Sequence, residues 1–208
     1  MIAWAQEAFH FLYNVHGLIE WGGLWLVTFV IFAETGLFFG FFLPGDSLLV
    51  VAGIFARARE LPLPWLLVLP CLAAILGNQT GYFLGLRLEH SMMNWPDSLF
   101  FKKRHLVMTH EFYAKYGAKT IFLARFVPIV RTFAPLVGGI GEMGYAPFLL
   151  YTVAGAVAWV CGLVLAGYSL ASLVPDIEKK IHAVIVVVVF LSILPGIVEF
   201  FRARRRRQ

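Results

Sequence analysis

Four charged residues, Glu34, Asp46, Arg125 and Arg131, stand inside apolar, proline-broken stretches where charge is expensive. Glu34 and Asp46 lie in F-A-E-T-G-L-F-F-G-F-F-L-P-G-D-S-L-L. Arg125 and Arg131 lie in L-A-R-F-V-P-I-V-R-T-F-A-P-L-V-G-G. At the centre of a bilayer each such charge costs about 2.5–3.5 kcal/mol, so four unpaired ones would cost ~10–14 kcal/mol. They are therefore expected to pair or to line a wet cavity. Ionisable groups at membrane depth read first as a functional site.

The chemistry follows from the residue types. A guanidinium offers planar, bidentate donors to phosphate, so Arg125 and Arg131 are the expected substrate phosphate ligands. A carboxyl held away from water can carry a proton near neutral pH, which makes Glu34 the main proton-coupling group and Asp46 its partner. Asp46 also follows Pro44-Gly45 and could cap a half-helix beginning near Ser47. The plainer alternative is that the carboxylates and arginines only staple two segments together. Buried ion pairs are a costly route to stability, and that disfavours the plainer reading.

Stepping outward, the chain has 208 residues, 60% hydrophobic and 14% charged, with a mean hydropathy of +0.80. Soluble domains carry about a quarter charged residues, so an all-α integral membrane protein with a single membrane domain is expected. Segments 64–86, 146–172 and 181–201 are apolar and long enough to span, which takes about 20 residues. Segments 21–56 and 118–139 are different. Pro44 and Gly45 break the first, and Pro128 and Pro135 break the second. Proline removes a backbone donor, and backbone groups freed at membrane depth survive only where protein or water satisfies them. Both segments are therefore expected to be re-entrant hairpins. Each runs from an apolar stretch through a proline-and-charge break to a glycine exit, at Gly53 or Gly138–Gly139. Interrupted segments at matching places in two halves point to an inverted repeat of the transporter kind.

Charge sets the orientation. With the Arg204–Arg207 run cytoplasmic, three spans put eleven Lys/Arg inside and four (Arg57, Arg59, Lys179, Lys180) outside. The first hairpin then enters from outside and the second from the cytoplasm. Residues 1–16 read as an amphipathic interfacial helix, and residues 87–117 as a cytoplasmic surface segment. The basic tail 202–208 is expected on anionic lipid headgroups rather than on nucleic acid. No basic residue precedes Arg57, so the start of the chain lacks the positive region of a signal peptide. Gly77, Gly81 and Gly85 share one helix face and are expected to let another helix approach closely.

Other functions find less support. The six histidines show no metal-ligand spacing, so no metal and no cofactor are expected. Cys71 and Cys161 read as small core residues. No G-x-S-x-G, H-E-x-x-H or P-loop pattern occurs, and no histidine-bearing lipid phosphatase motif, so an enzyme is not expected. An uncoupled phospholipid scramblase would use the same residues without a titrating step. A small-ion or drug/proton antiporter would use Glu34 but has less need of two arginines. The oligomeric state, including a homo-oligomer, is left open.

From about residue 17 to 170 the chain resembles the DedA family, the SNARE-associated or VTT-domain membrane proteins. The carriers are Glu34 with F-L-P-G-D-S-L, then G-Y-F-L-G-L-R, A-R-F-V-P-I-V-R and G-G-I-G-E-M-G-Y-A-P-F, in that order. Ala124 departs from the glycine that often precedes Arg-Phe in the family. The resemblance implies a bacterial inner-membrane transporter with two opposed re-entrant hairpins. It also implies a flippase role in returning undecaprenyl phosphate across the membrane, with proton coupling and a part in envelope homeostasis. The family's essential acidic pair would fall on Glu34 and Asp46, and its arginine pair on Arg125 and Arg131.

Overall fold

The computed structural model describes residues 15–37, 43–92, 117 and 119–173. The expectations for most of the interfacial helix, the tip of the first hairpin, most of the surface segment, the third span and the basic tail lie outside these residues. Within them the fold is all-helical, with six helices. These are α1 (Val15–Gly36), α2 (Gly45–Arg57), α3 (Leu63–Met92), α4 (Lys119–Ala124), α5 (Pro128–Ile140) and α6 (Tyr145–Leu173).

Length divides the helices into two kinds. α3 has 30 residues and α6 has 29. At 1.5 Å per residue they run about 45 Å, beyond the ~30 Å hydrocarbon core. Both are apolar enough to cross a membrane. α2 and α5 have 13 residues each. Each reaches only about 20 Å, too little to cross. The prolines set where the short helices begin. Val127 is extended (φ −115°, ψ 109°), as a residue before proline should be, and Pro128 is the first residue of α5. Pro44 occupies the position before α2. In α1 the backbone leaves helical geometry at Gly23 (φ 51°, ψ −142°), a left-handed conformation that glycine adopts freely.

The short helices dock crosswise. α2 packs mainly on α6, and α5 packs mainly on α3. The two contacts are built alike. A methyl group at Gly53 of α2 would strike the Val164 carbonyl oxygen of α6, and one at Gly167 of α6 would strike the Val50 carbonyl oxygen of α2. Likewise, a methyl at Gly139 of α5 would strike the Tyr82 carbonyl oxygen, and one at Gly85 of α3 the Leu136 carbonyl oxygen. In all four cases the carbonyl belongs to the residue three before the partner glycine. The expected glycine exits are therefore corrected. Gly53 lies inside α2, and Gly138–Gly139 lie in the last turn of α5, because bare backbone is needed there for helix contact rather than for chain reversal. Gly81 meets Pro135, and Gly77 meets Thr35 and Gly36 of α1.

Two apolar clusters surround these contacts. The larger joins α1, α2, the first half of α3 and the middle of α6 around Ile31, Leu48, Leu49, Leu66 and Val160. The smaller joins α3, α4, α5 and the start of α6 around Tyr82, Ile121, Ala134 and Phe148. Tyr82 stacks on Phe148, with ring centroids 4.2 Å apart, and donates its hydroxyl to the Met143 carbonyl.

Candidate functional site

The helix breaks bring the charged residues to one place. Glu34 sits in the last turn of α1, Asp46 in the first turn of α2, Arg125 in the break after α4 and Arg131 in the first turn of α5. Arg131 is the hub. Its Nη2 donates to Glu34 Oε1, and its Nη1 donates to Asp46 Oδ1 at 2.6 Å. One guanidinium thus bridges two carboxylates, one carried by α1 and one by α2. Glu34 is 1% exposed and Arg125 is 4% exposed, so these charges are withdrawn from the surface. Removing one partner of such a buried cluster is expected to cost about 3–5 kcal/mol, because a bare charge is left behind.

Arg125 is held differently. Its guanidinium carbon lies 5.6 Å from the centroid of the Trp159 ring, and Arg131's lies 4.8 Å from the same centroid. One indole therefore serves both cations. Arg125 fits a notch at Gly155, where a methyl group would come within 3.2 Å of its Nε and 3.3 Å of its Cδ. Its Nη2 is buried and has no hydrogen-bond partner. Three further atoms near these elements share that condition: Arg131 Nε, Glu34 Oε2 and Thr152 Oγ1. Glu34 Oε2 lies against Gly45, where a methyl group would strike it.

The site residues proposed from sequence fall into three groups. Glu34, Asp46 and Arg131 form one hydrogen-bonded cluster, and Arg125 joins it through Trp159. Pro44, Gly45 and Pro128 stand at the starts of the short helices, and Gly45 also makes room for Glu34. Pro135 lies inside α5 and packs on Gly81 rather than marking a break. One expectation is corrected. Asp46 does not cap α2, because the helix begins at Gly45 with Pro44 in the cap position and no side-chain cap bond. Its Oδ1 accepts instead from Arg131 and, at 2.9 Å, from Trp159 Nε1. Trp159 and Gly155 were not singled out in the sequence. A tryptophan buried in a span needs a partner for its N–H, and a glycine one turn earlier on the same face was the available signal.

The VTT domain model matches residues 43–169, which contain Asp46, Arg125, Arg131 and Trp159. Protein DedA of Escherichia coli (strain K12) is 43% identical over 188 residues, covering 88% of this chain and 85% of the relative. The chain belongs to the DedA family of VTT-domain proteins. An uncharacterized membrane protein of Mycobacterium tuberculosis is 42% identical over 184 residues, covering 88% of this chain and 80% of the relative. Inner membrane protein YqjA of Escherichia coli (strain K12) is 33% identical over 170 residues, covering 80% and 74%. No solved structure matches the chain. Family membership and two helices long enough to span make this DedA-family chain a helical membrane protein.

Proposed function

We propose that this protein is a proton-coupled flippase of the bacterial inner membrane that returns a phosphate-bearing polyprenyl lipid, undecaprenyl phosphate, across the bilayer. The observation that carries this reading is the unequal state of the two arginines. Arg131 is engaged by two carboxylates, while the buried Nη2 of Arg125 has no partner. With all four groups ionised the cluster sums to zero. A proton on Glu34 gives it a net charge of plus one and loosens Arg131 from Oε1. A phosphate can then take Arg125 Nη2 and the released Arg131 Nη2. Arg131 Nε and Thr152 Oγ1 are further donors at hand. When Glu34 gives up its proton it reclaims Arg131, and the phosphate is released. The N-terminal ends of α2 and α5 both open at this cluster and favour an anion there.

The same reading takes α1–α2 and α4–α5 as re-entrant hairpins entering from opposite faces, with the C-terminus cytoplasmic. The alike crosswise contacts of α2 on α6 and α5 on α3 support it. So does the name of the relative YqjA, an inner membrane protein. Reconstituted protein with a fluorescent polyprenyl phosphate tests the coupling. Glu34→Gln should still bind the lipid phosphate and lose its acceleration by a proton gradient. Unchanged gradient response in that variant, together with gradient-independent wild-type transport, would leave an uncoupled scramblase as the better account.

A further inference from the structure

Trp159 makes two kinds of contact at the site, and together they tie α6 to both hairpins. Its indole N–H donates at 2.9 Å to Asp46 Oδ1, the same oxygen that receives Arg131 Nη1 at 2.6 Å. Its ring faces the guanidinium of Arg131 and that of Arg125. The side chain is buried, and Gly155, one turn earlier on the same helix face, makes room for Arg125. Asp46 stands in the first turn of α2, where it has no capping bond to hold it. Its carboxylate is therefore aimed by side chains alone, and Trp159 is the one that stays when Arg131 moves.

We propose that Trp159 is a positioning residue of the anion site: its N–H fixes the Asp46 carboxylate, and through it the fork of Arg131, while its ring keeps the two like-charged guanidiniums side by side. This rests on the lipid-phosphate reading above for the ligand, but not for the coupling itself. The N–H and the ring have separable duties. Trp159→Phe keeps an aromatic face for both cations and removes the donor to Asp46. It acts only through Asp46, so its effect belongs to that residue. A residue that merely fills space at this place would have no such dependence.

The test is a double-mutant cycle of Trp159→Phe with Asp46→Leu, which leaves no acceptor for the indole N–H, read in detergent both as half-saturating concentration of a short-chain polyprenyl phosphate and as thermal unfolding. Trp159→Phe should raise the half-saturating concentration about tenfold with the number of sites unchanged, the size expected of one hydrogen bond to a charged group. In the Asp46→Leu background the same change should move the half-saturating concentration less than about twofold and the unfolding within the usual additivity error. Full additivity in unfolding overturns the proposal and leaves Trp159 as packing. Should Trp159→Phe fail to fold, the indole N–H resonance of wild-type Trp159 replaces it. That resonance should shift when the lipid phosphate is added and hold still in Asp46→Leu, and indifference in the wild type overturns the proposal. If wild-type protein binds no lipid phosphate, the substrate reading falls, and the unfolding cycle alone decides Trp159.

Discussion

The two short helices, α2 and α5, use the same docking device and differ in what they show to the outside. In α2, eleven residues (Gly45 and Ser47 through Ala56) are buried, and from Leu48 to Ala56 every residue is apolar or glycine. A helix of that pattern belongs inside a protein, not at a lipid boundary. By contrast, Val130 and Phe133 on α5, and Leu123 and Phe126 around the break before it, are exposed. Asp46 therefore stands on a sealed helix and the arginines beside an open face, while α1, which carries Glu34, is itself exposed at Trp21, Trp25 and Phe29. On the lipid-phosphate reading, the apolar tail lies against the open face of α5 while the head reaches Arg125.

The largest expected effect comes from separating the two arginines. Arg131→Ala should lower stability by about 3–5 kcal/mol, because Glu34 and Asp46 both lose their cation. Arg125→Ala should fall well short of that, since among the described residues no carboxylate is hydrogen-bonded to it, yet should abolish lipid-phosphate uptake on the proposed reading. Thermal unfolding of both variants in detergent decides this, and equal destabilisation would break the contrast. A middling effect is expected at the docking glycines. Gly53→Ala and Gly139→Ala each push a methyl onto a carbonyl oxygen, which overpacking places at about 1–3 kcal/mol. The sealed α2 has less room to yield than the half-open α5, so Gly53→Ala should be the worse of the two. The reverse order would mean that exposure of α5 gives it no freedom to adjust. The smallest effect is expected on the open face. Phe133→Leu and Val130→Ala should move stability by no more than about 0.5 kcal/mol. A much larger change in either would show that this face is covered.

Much of this arrangement was legible in the chain. Pro44 and Pro128 were legible as breaks, because proline removes a backbone donor, and in the structure the short helices begin at those breaks. The four charges could be selected because each lies where an unpaired charge is too expensive to keep. What stayed hidden was pairing. Nothing in the spacing of Arg125 and Arg131 says that one takes both carboxylates and the other takes neither. That depends on how α1, α2 and α5 meet in three dimensions. Trp159 was hidden for a different reason: it sits in A-V-A-W-V-C, where every neighbour is apolar and hydropathy gives it no contrast. Gly53 and Gly139 read in the sequence only as glycine exits, since a glycine that ends a helix and one that admits another helix look alike there.

The crosswise docking of the short helices has a consequence for biosynthesis. α2 is complete at Arg57, but the helix it rests on ends at Leu173, about 116 residues later. At ~5–20 residues per second the ribosome needs about 6–23 s to supply that partner. Throughout that interval Asp46 and the bare backbone around Gly53 have neither Trp159 nor Gly167 to meet. A nascent chain in this condition needs a temporary host inside the membrane, so insertion machinery that shelters half-made helices should be as necessary to this protein as any residue of its site.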